Sequence, residues 1–242
     1  MGCASSISGA SITPSTKRAS STKKTSDRIA RVLQKKKGEV DKAGNPITFE
    51  KILLRFDRLR SVLAYIKAVF ADKSNGTSGL NYEGLKEALN VLHGPMEKEQ
   101  IIELFEFVDL DDSKVIEFKE FLVALTVGHV LDIMPDTHDK ETSTRGARPS
   151  QLVEVNGLTC SAADINGVMN LIVSAYLLFD PNGKGYICRD AVSAMIEEGK
   201  GGNAMLSQQR WNEMDWDANG EIDFPEFVHA FSSWMDLDED DV

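Results

Sequence analysis

Twelve residues near the C-terminal end, DWDANGEIDFPE at 215–226, crowd five carboxylates between two apolar stretches. Like charges at that density repel, so a compact loop here calls for a cation among them. Asp215, Asp217 and Asn219 occupy alternate positions, and a tightly wound loop turns their side-chain oxygens toward one centre. Gly220, the sixth residue, permits the sharp left-handed turn that a Cβ resists. Glu221 is placed to offer its carbonyl oxygen, Asp223 to reach the ion directly or through water, and Glu226 to close the cage with both oxygens. Hard oxygens in this number suit Ca²⁺, and the absence of Cys and His from the loop argues against zinc.

The pattern repeats. DLDDSKVIEFKE at 109–120 sets Asp109, Asp111, Ser113, Val115, Glu117 and Glu120 at the same six ligand positions. Its sixth residue is Lys114, where a left-handed backbone costs about 1–2 kcal/mol and an ammonium lies beside the ion, so a weaker site is expected. DPNGKGYICRDA at 180–191 keeps Asp180, Asn182, Gly185 and Ile187, but Lys184 replaces an oxygen ligand and Ala191 replaces the closing glutamate. That loop is expected to be empty or very weak. In FADKSNGTSGLNYEGLKEAL at 70–89 the loop is one or two residues too long and Gly84 stands where glutamate belongs, which leaves a pairing role. Two main Ca²⁺ sites are therefore expected.

Loop starts near 72, 109, 180 and 215 fall into two close pairs with a longer interval between them. In each pair the residue at the eighth position, Leu80 with Ile116 and Ile187 with Ile222, can join a short antiparallel bridge. With these loops in view, the chain resembles the EF-hand superfamily, and within it the calmodulin-like and calcineurin B-like calcium sensors, over roughly residues 48–236. The resemblance implies an all-α fold of four helix-loop-helix hands in two lobes. On that plan residues 1–47 form a basic, mostly disordered arm, 48–130 the first pair of hands, 131–160 a mobile linker, 161–236 the second pair and 237–242 an acidic tail.

The helices that must hold these loops are legible independently. Phe49, Ile52, Leu53, Phe56, Leu59, Val62, Leu63, Ile66, Val69 and Phe70 recur at three and four spacing and lead into the first loop. Phe227, Ala230, Phe231 and Trp234 do the same after the last. Ser161 with Asp164 three residues on forms an N-terminal cap for the helix entering the third loop. With 42% hydrophobic residues in 242, the chain can bury two small cores.

The net charge of −11 conceals opposite regions. Residues 1–37 carry Lys or Arg at 17, 18, 23, 24, 28, 31, 35, 36 and 37 against the single acid Asp27, so the arm seeks an anionic surface while the body attracts basic partners. The start MGCASS matches the N-myristoylation pattern at Gly2, and Cys3 lies where a membrane-delivered chain is palmitoylated. One acyl chain anchors only marginally, and Cys3 and the basic arm each supply a second signal. The arm has no aromatic residue for base stacking, so no nucleic acid is expected. Three cysteines and no secretory leader fit the cytoplasm, on the cytosolic face of the plasma membrane or an endomembrane, and no apolar run reaches the length of a span.

No kinase, phosphatase or protease motif is present, so a non-enzymatic protein is expected. The resemblance implies a sensor that opens on Ca²⁺ binding and takes an amphipathic helix of a target protein, typically a kinase, phosphatase or channel segment. The alternative is a Ca²⁺ buffer or a constitutively loaded regulatory subunit of a kinase or phosphatase. Met169, Met195, Met205, Met214 and Met235 crowd the C-terminal half, as either core filling or an adaptable groove.

Overall fold

The computed structural model describes residues 16–42, 56–109, 111–133, 153–192, 208 and 211–234. The elements are α1 (Thr16–Lys42), α2 (Phe56–Ser74), α3 (Tyr82–His93), α4 (Lys98–Val108), α5 (Phe118–Val130), β1 (Val153–Val155), β2 (Leu158–Cys160), α6 (Ala162–Phe179), β3 (Ile187–Cys188), β4 (Glu221–Ile222) and α7 (Phe224–Trp234). The fold is mostly helical, with two small antiparallel sheets.

Several helices begin where a side chain takes up an otherwise orphaned N–H group. Asn81 Oδ1 accepts from Gly84 N at 2.9 Å and starts α3. Ser161 and Asp164 form the expected reciprocal box on α6, with Asp164 N donating to Ser161 Oγ at 3.2 Å and Ser161 N donating to Asp164 Oδ2 at 3.3 Å. The helix-loop-helix units meet through the expected partners. Leu80 and Ile116 exchange N–H···O bonds of 2.9 and 2.8 Å, and Ile187 lies opposite Ile222 in the β3–β4 pair. Gly79 makes the first bridge possible, because a Cβ there would fall 2.6 Å from Ile116 O.

Phe70 packs edge-on against Phe118 at 5.3 Å between ring centres, and Tyr176 does the same against Phe224 at 5.2 Å. The buried residues of both halves nevertheless form one continuous core, from Leu33 and Ile66 through Phe121 to Tyr176 and Phe227. α5 is its spine and packs on α4, α6 and α7, while α2 reaches across to α6. His129 Nε2 and Asn170 Oδ1, 3.0 Å apart, tie α5 to α6. His229 of α7, its ring tilted against Trp216 at 4.6 Å between centres, is held well down, to about 4, first by burial and then by the charge of Lys119 on α5.

Three expectations are corrected. The N-terminal arm is not mostly disordered, since residues 16–42 form α1. Thr25, Ile29 and Leu33 recur every fourth residue and all three are buried, so the helix is held by an apolar stripe that its many cations obscured. The stretch read as a mobile linker contains a hairpin at 153–160 packed on α2. Its two-residue loop is Asn156-Gly157, with φ of 52° and 77°, the turn that matches strand twist. Finally, α6 is long and apolar enough to cross a membrane. Its apolar residues Ile165, Val168, Met169, Ile172 and Tyr176 lie in the core, which accounts for its composition here.

Gly2, Cys3, the tail at 237–242 and Met195, Met205 and Met235 lie outside the described residues. Met169 and Met214 are buried core residues.

Candidate functional site

The loop at 215–226 runs from helical residues 211–214 into β4 and α7. Ala218 and Gly220 take left-handed backbone, with φ of 55° and 84°, and coil the loop inward. This brings a carboxylate oxygen of each of Asp215, Asp217 and Glu226 within 4.8 Å of the others. The outer oxygens are anchored. Asp215 Oδ2 accepts from Gly220 N at 3.2 Å and from the Trp211 indole N–H at 3.0 Å. Glu226 Oε2 accepts from Asp223 N at 2.9 Å, and Asp223 Oδ1 from Glu226 N at 3.0 Å, so the closing glutamate also caps α7. The inner oxygens, Asp215 Oδ1 and Glu226 Oε1, are buried and have no hydrogen-bond partner.

Burial, with lesser repulsion from Asp217, pushes Asp223 up to about 6. Burial also pushes Glu226 up to about 8, and the charges of Asp223 and Asp217 add to it. Two acids this reluctant to ionise, beside undonated inner oxygens on Asp215 and Glu226, fit a hard cation at the centre. Asn219 Oδ1 accepts from Glu221 N at 2.7 Å, one of the two hydrogen bonds an amide oxygen can take, and its amide donates to Asp217 Oδ2 at 2.8 Å. Glu221 lies in β4, which places its carbonyl on the sheet that pairs the two loops.

The loop at 109–120 is built alike. Asp109, Asp111 and Glu120 bring carboxylate oxygens within 4.8 Å, and Glu120 Oε2 accepts from Glu117 N at 2.9 Å as it caps α5. Asp109 and Glu120 are buried, while Asp111 and Glu117 are exposed. Ser113 Oγ donates to the Val115 carbonyl at 2.8 Å, so those two ligand-position oxygens lie together. Lys114 adopts φ of 66°, the strained left-handed conformation expected at a non-glycine sixth position. Its ammonium bends back to Asp112 and comes within 3.9 Å of Asp109 Oδ2, so the loop carries its own competing cation.

The loop starting at Asp180 keeps the backbone and loses the chemistry. Gly183 and Gly185 have φ of 62° and 86° at the same two positions. Asp180, however, spends both oxygens on the loop, Oδ1 on Lys184 N at 2.9 Å and Oδ2 on Gly185 N at 2.8 Å. The stretch after Ser74 closes through Thr77, whose hydroxyl contacts the carbonyls of Ser74 and Gly79 at 2.6 and 2.8 Å. Among the described residues, only the loops at 109–120 and 215–226 gather three carboxylates in this way. Trp211 escaped the sequence reading, although its place four residues before Asp215 on a helix was a readable signal.

Helix-loop-helix units that gather carboxylate oxygens at the first, third and twelfth loop positions have the arrangement of EF-hands. The homologues of this chain are calmodulin-like. It is 27% identical to the probable calcium-binding protein CML21 of Arabidopsis thaliana, over 80% of this chain and 78% of the relative, and 29% identical to CML22 of the same plant, over 80% of each. It is also 24% identical to calcium-dependent protein kinase 33 of Arabidopsis thaliana, over 69% of this chain but only 26% of the kinase. No protein-family model matches the chain.

Proposed function

We propose that the protein is a non-enzymatic Ca²⁺ sensor of four hands in two pairs, two of them ion-binding. Asp215, Asp217, Asn219, Glu221, Asp223 and Glu226 would hold one Ca²⁺, and Asp109, Asp111, Ser113, Val115, Glu117 and Glu120 the other. Bound Ca²⁺ would supply positive charge at the loop centre, to which Glu120 and Glu226, in the first turns of their exit helices, would bring their carboxylates. The carrying observation is the pair of buried inner oxygens, Asp215 Oδ1 and Glu226 Oε1, each on a carboxylate whose other oxygen is fixed by N–H donors. The relatives named as calcium-binding proteins support the same ion.

In this reading Ca²⁺ shifts helix packing and exposes apolar surface for an amphipathic target helix. Acylation at Gly2 and Cys3, with the cations of α1, holds the protein on an anionic cytosolic membrane face. Loss of membrane-associated protein in Gly2→Ala and Cys3→Ser tests that anchor, and an unchanged distribution removes it.

Calorimetric Ca²⁺ titration of the wild type beside Glu120→Gln and Glu226→Gln tests the ion sites. Two ions are expected in the wild type and one in each variant, because stripping a buried charge of its partner costs about 3 kcal/mol, on the order of 100-fold in affinity. Four ions, or none, would overturn the two-site reading. Two ions bound without any gain in apolar-dye fluorescence would make the protein a buffer.

A further inference from the structure

The loop starting at Asp180 is not idle: α1 sits on it. Gln34 Nε2 donates to the Lys184 carbonyl at 2.7 Å. A Cβ on Gly185 would fall 2.8 Å from Ala30 Cβ, so the helix backbone approaches the loop as closely as glycine allows. At Gly183 the nearest neighbour is the Lys37 side chain, 3.3 Å from where a Cβ would stand. On its other side α1 packs against α4, α5 and α6, with Ile29 and Leu33 fully buried and Thr25 Oγ1 bonded to Glu103 Oε1 at 3.1 Å. The loop needs no ion to present this surface, because Asp180 already holds the N–H groups of Lys184 and Gly185 and Tyr176 OH donates to the Gly185 carbonyl at 2.9 Å.

The occupant has the chemistry of a ligand rather than of a core helix. α1 is strongly basic, exposes Lys23, Lys24, Arg28 and Arg31, and enters the acidic body through a narrow stripe of Thr25, Ile29 and Leu33 with the small Ala30 beside it. Opposite charge and two aliphatic anchors four residues apart describe a helix in a groove.

We infer that the third loop, together with the facing sides of α4, α5 and α6, is a seat for a basic amphipathic helix, filled in cis by α1. The partner helix that replaces α1 carries aliphatic residues at i and i+4 and a small residue at i+1, with cations on the outer face. This deepens the sensor reading and rests on it for the partner's being a target helix.

The test uses the full chain and a labelled synthetic peptide of residues 16–42, with fluorescence anisotropy in Ca²⁺ and in chelator. Wild type is expected to bind the peptide weakly, because its seat is filled. Ile29→Asp with Leu33→Asp in the full chain empties the seat and should tighten peptide binding at least 10-fold, while a peptide carrying the same two changes should not bind. Ala30→Phe, which lifts α1 off Gly185 and leaves every residue of the seat unaltered, should give the same gain and decides the matter if the double variant does not fold. No gain in Ala30→Phe, or equal binding of the doubly substituted peptide, overturns the seat. Retained Ca²⁺ binding alongside that failure leaves the sensor reading standing, whereas a gain in a protein that binds no Ca²⁺ keeps the seat and removes the sensor.

Discussion

The loops that begin at Asp180 and Asp215 share a backbone and differ in what their first carboxylate does. Both turn left-handed at the fourth and sixth positions, at Gly183 and Gly185 in one and Ala218 and Gly220 in the other. Both place an isoleucine in the strand pair that joins them. In the later loop one oxygen of Asp215 is fixed and the other is held inward with no donor, facing Glu226. In the earlier loop Lys184 and Gly185 N–H groups consume both oxygens of Asp180, and no glutamate stands at position 191. The backbone of such a loop is therefore set by turn residues and by pairing with its neighbour. Ion chemistry is a separate layer, which side chains can add or remove without refolding the loop.

The most drastic way to break that contrast is to restore the missing layer. Lys184→Asp with Ala191→Glu returns two ligands to a backbone that already turns correctly, and a third Ca²⁺ is expected by calorimetry, with a dissociation constant on the order of 10⁻⁴–10⁻³ M. Failure to gain an ion would show that the hydrogen bonds of Asp180 define the loop more firmly than its missing ligands do.

Lys114→Gly sharpens the contrast at the loop of 109–120. It relieves about 1–2 kcal/mol of backbone strain, which should raise the stability of the fold, and removes the ammonium near Asp109, so affinity there should rise by up to roughly 5-fold. An unchanged constant would mean that the left-handed lysine is tolerated at no cost to the ion.

The ion-binding loop should also reveal itself through pH. Glu226 and Asp223 are raised by burial to about 8 and about 6 in the folded chain, so between the ordinary carboxylate range and pH 8 the folded state holds protons that the unfolded state has lost. Stability without metal therefore falls as pH rises through that window. Urea midpoints in chelator should be higher at pH 7 than at pH 8.5, a window above the range in which His93 and His229, lowered to about 4 by burial, act in the opposite sense, and saturating Ca²⁺ should abolish the difference. Glu226→Gln should flatten the chelator profile.

A similarly small effect is expected at Trp211, whose indole N–H orients Asp215. Trp211→Phe removes one hydrogen bond to a carboxylate, worth about 1 kcal/mol, and should weaken the C-terminal site by roughly 5-fold with the stoichiometry unchanged.

Much of this was legible in the sequence, and for a physical reason. Ligand spacing and the box of Ser161 with Asp164 are local patterns, each complete within a dozen residues, and the bridge partners Leu80 with Ile116 and Ile187 with Ile222 follow from the eighth positions of the loops so located. The docking of α1 was not legible, because three buried residues at every fourth position are outweighed by surrounding lysines and arginines, and the groove that accepts them is assembled from distant segments. The hairpin at 153–160 was missed although Asn156-Gly157 between alternating residues is a strong hairpin signal. The inward turn of Asp180 was unreadable, since nothing in DPNGKG states whether its carboxylate faces an ion or its own backbone.

The spine helix α5 carries Glu120 in its first turn, α7 carries Glu226 in its own, and the two helices pack directly on each other. An ion that repositions either glutamate must move a helix that is also a wall of the other site's support. Occupancy at one loop then changes the affinity of the other, and thermodynamic reciprocity makes the factor identical in both directions. Where that shared factor favours binding, the protein would read a rise in Ca²⁺ as a single threshold rather than as two independent levels.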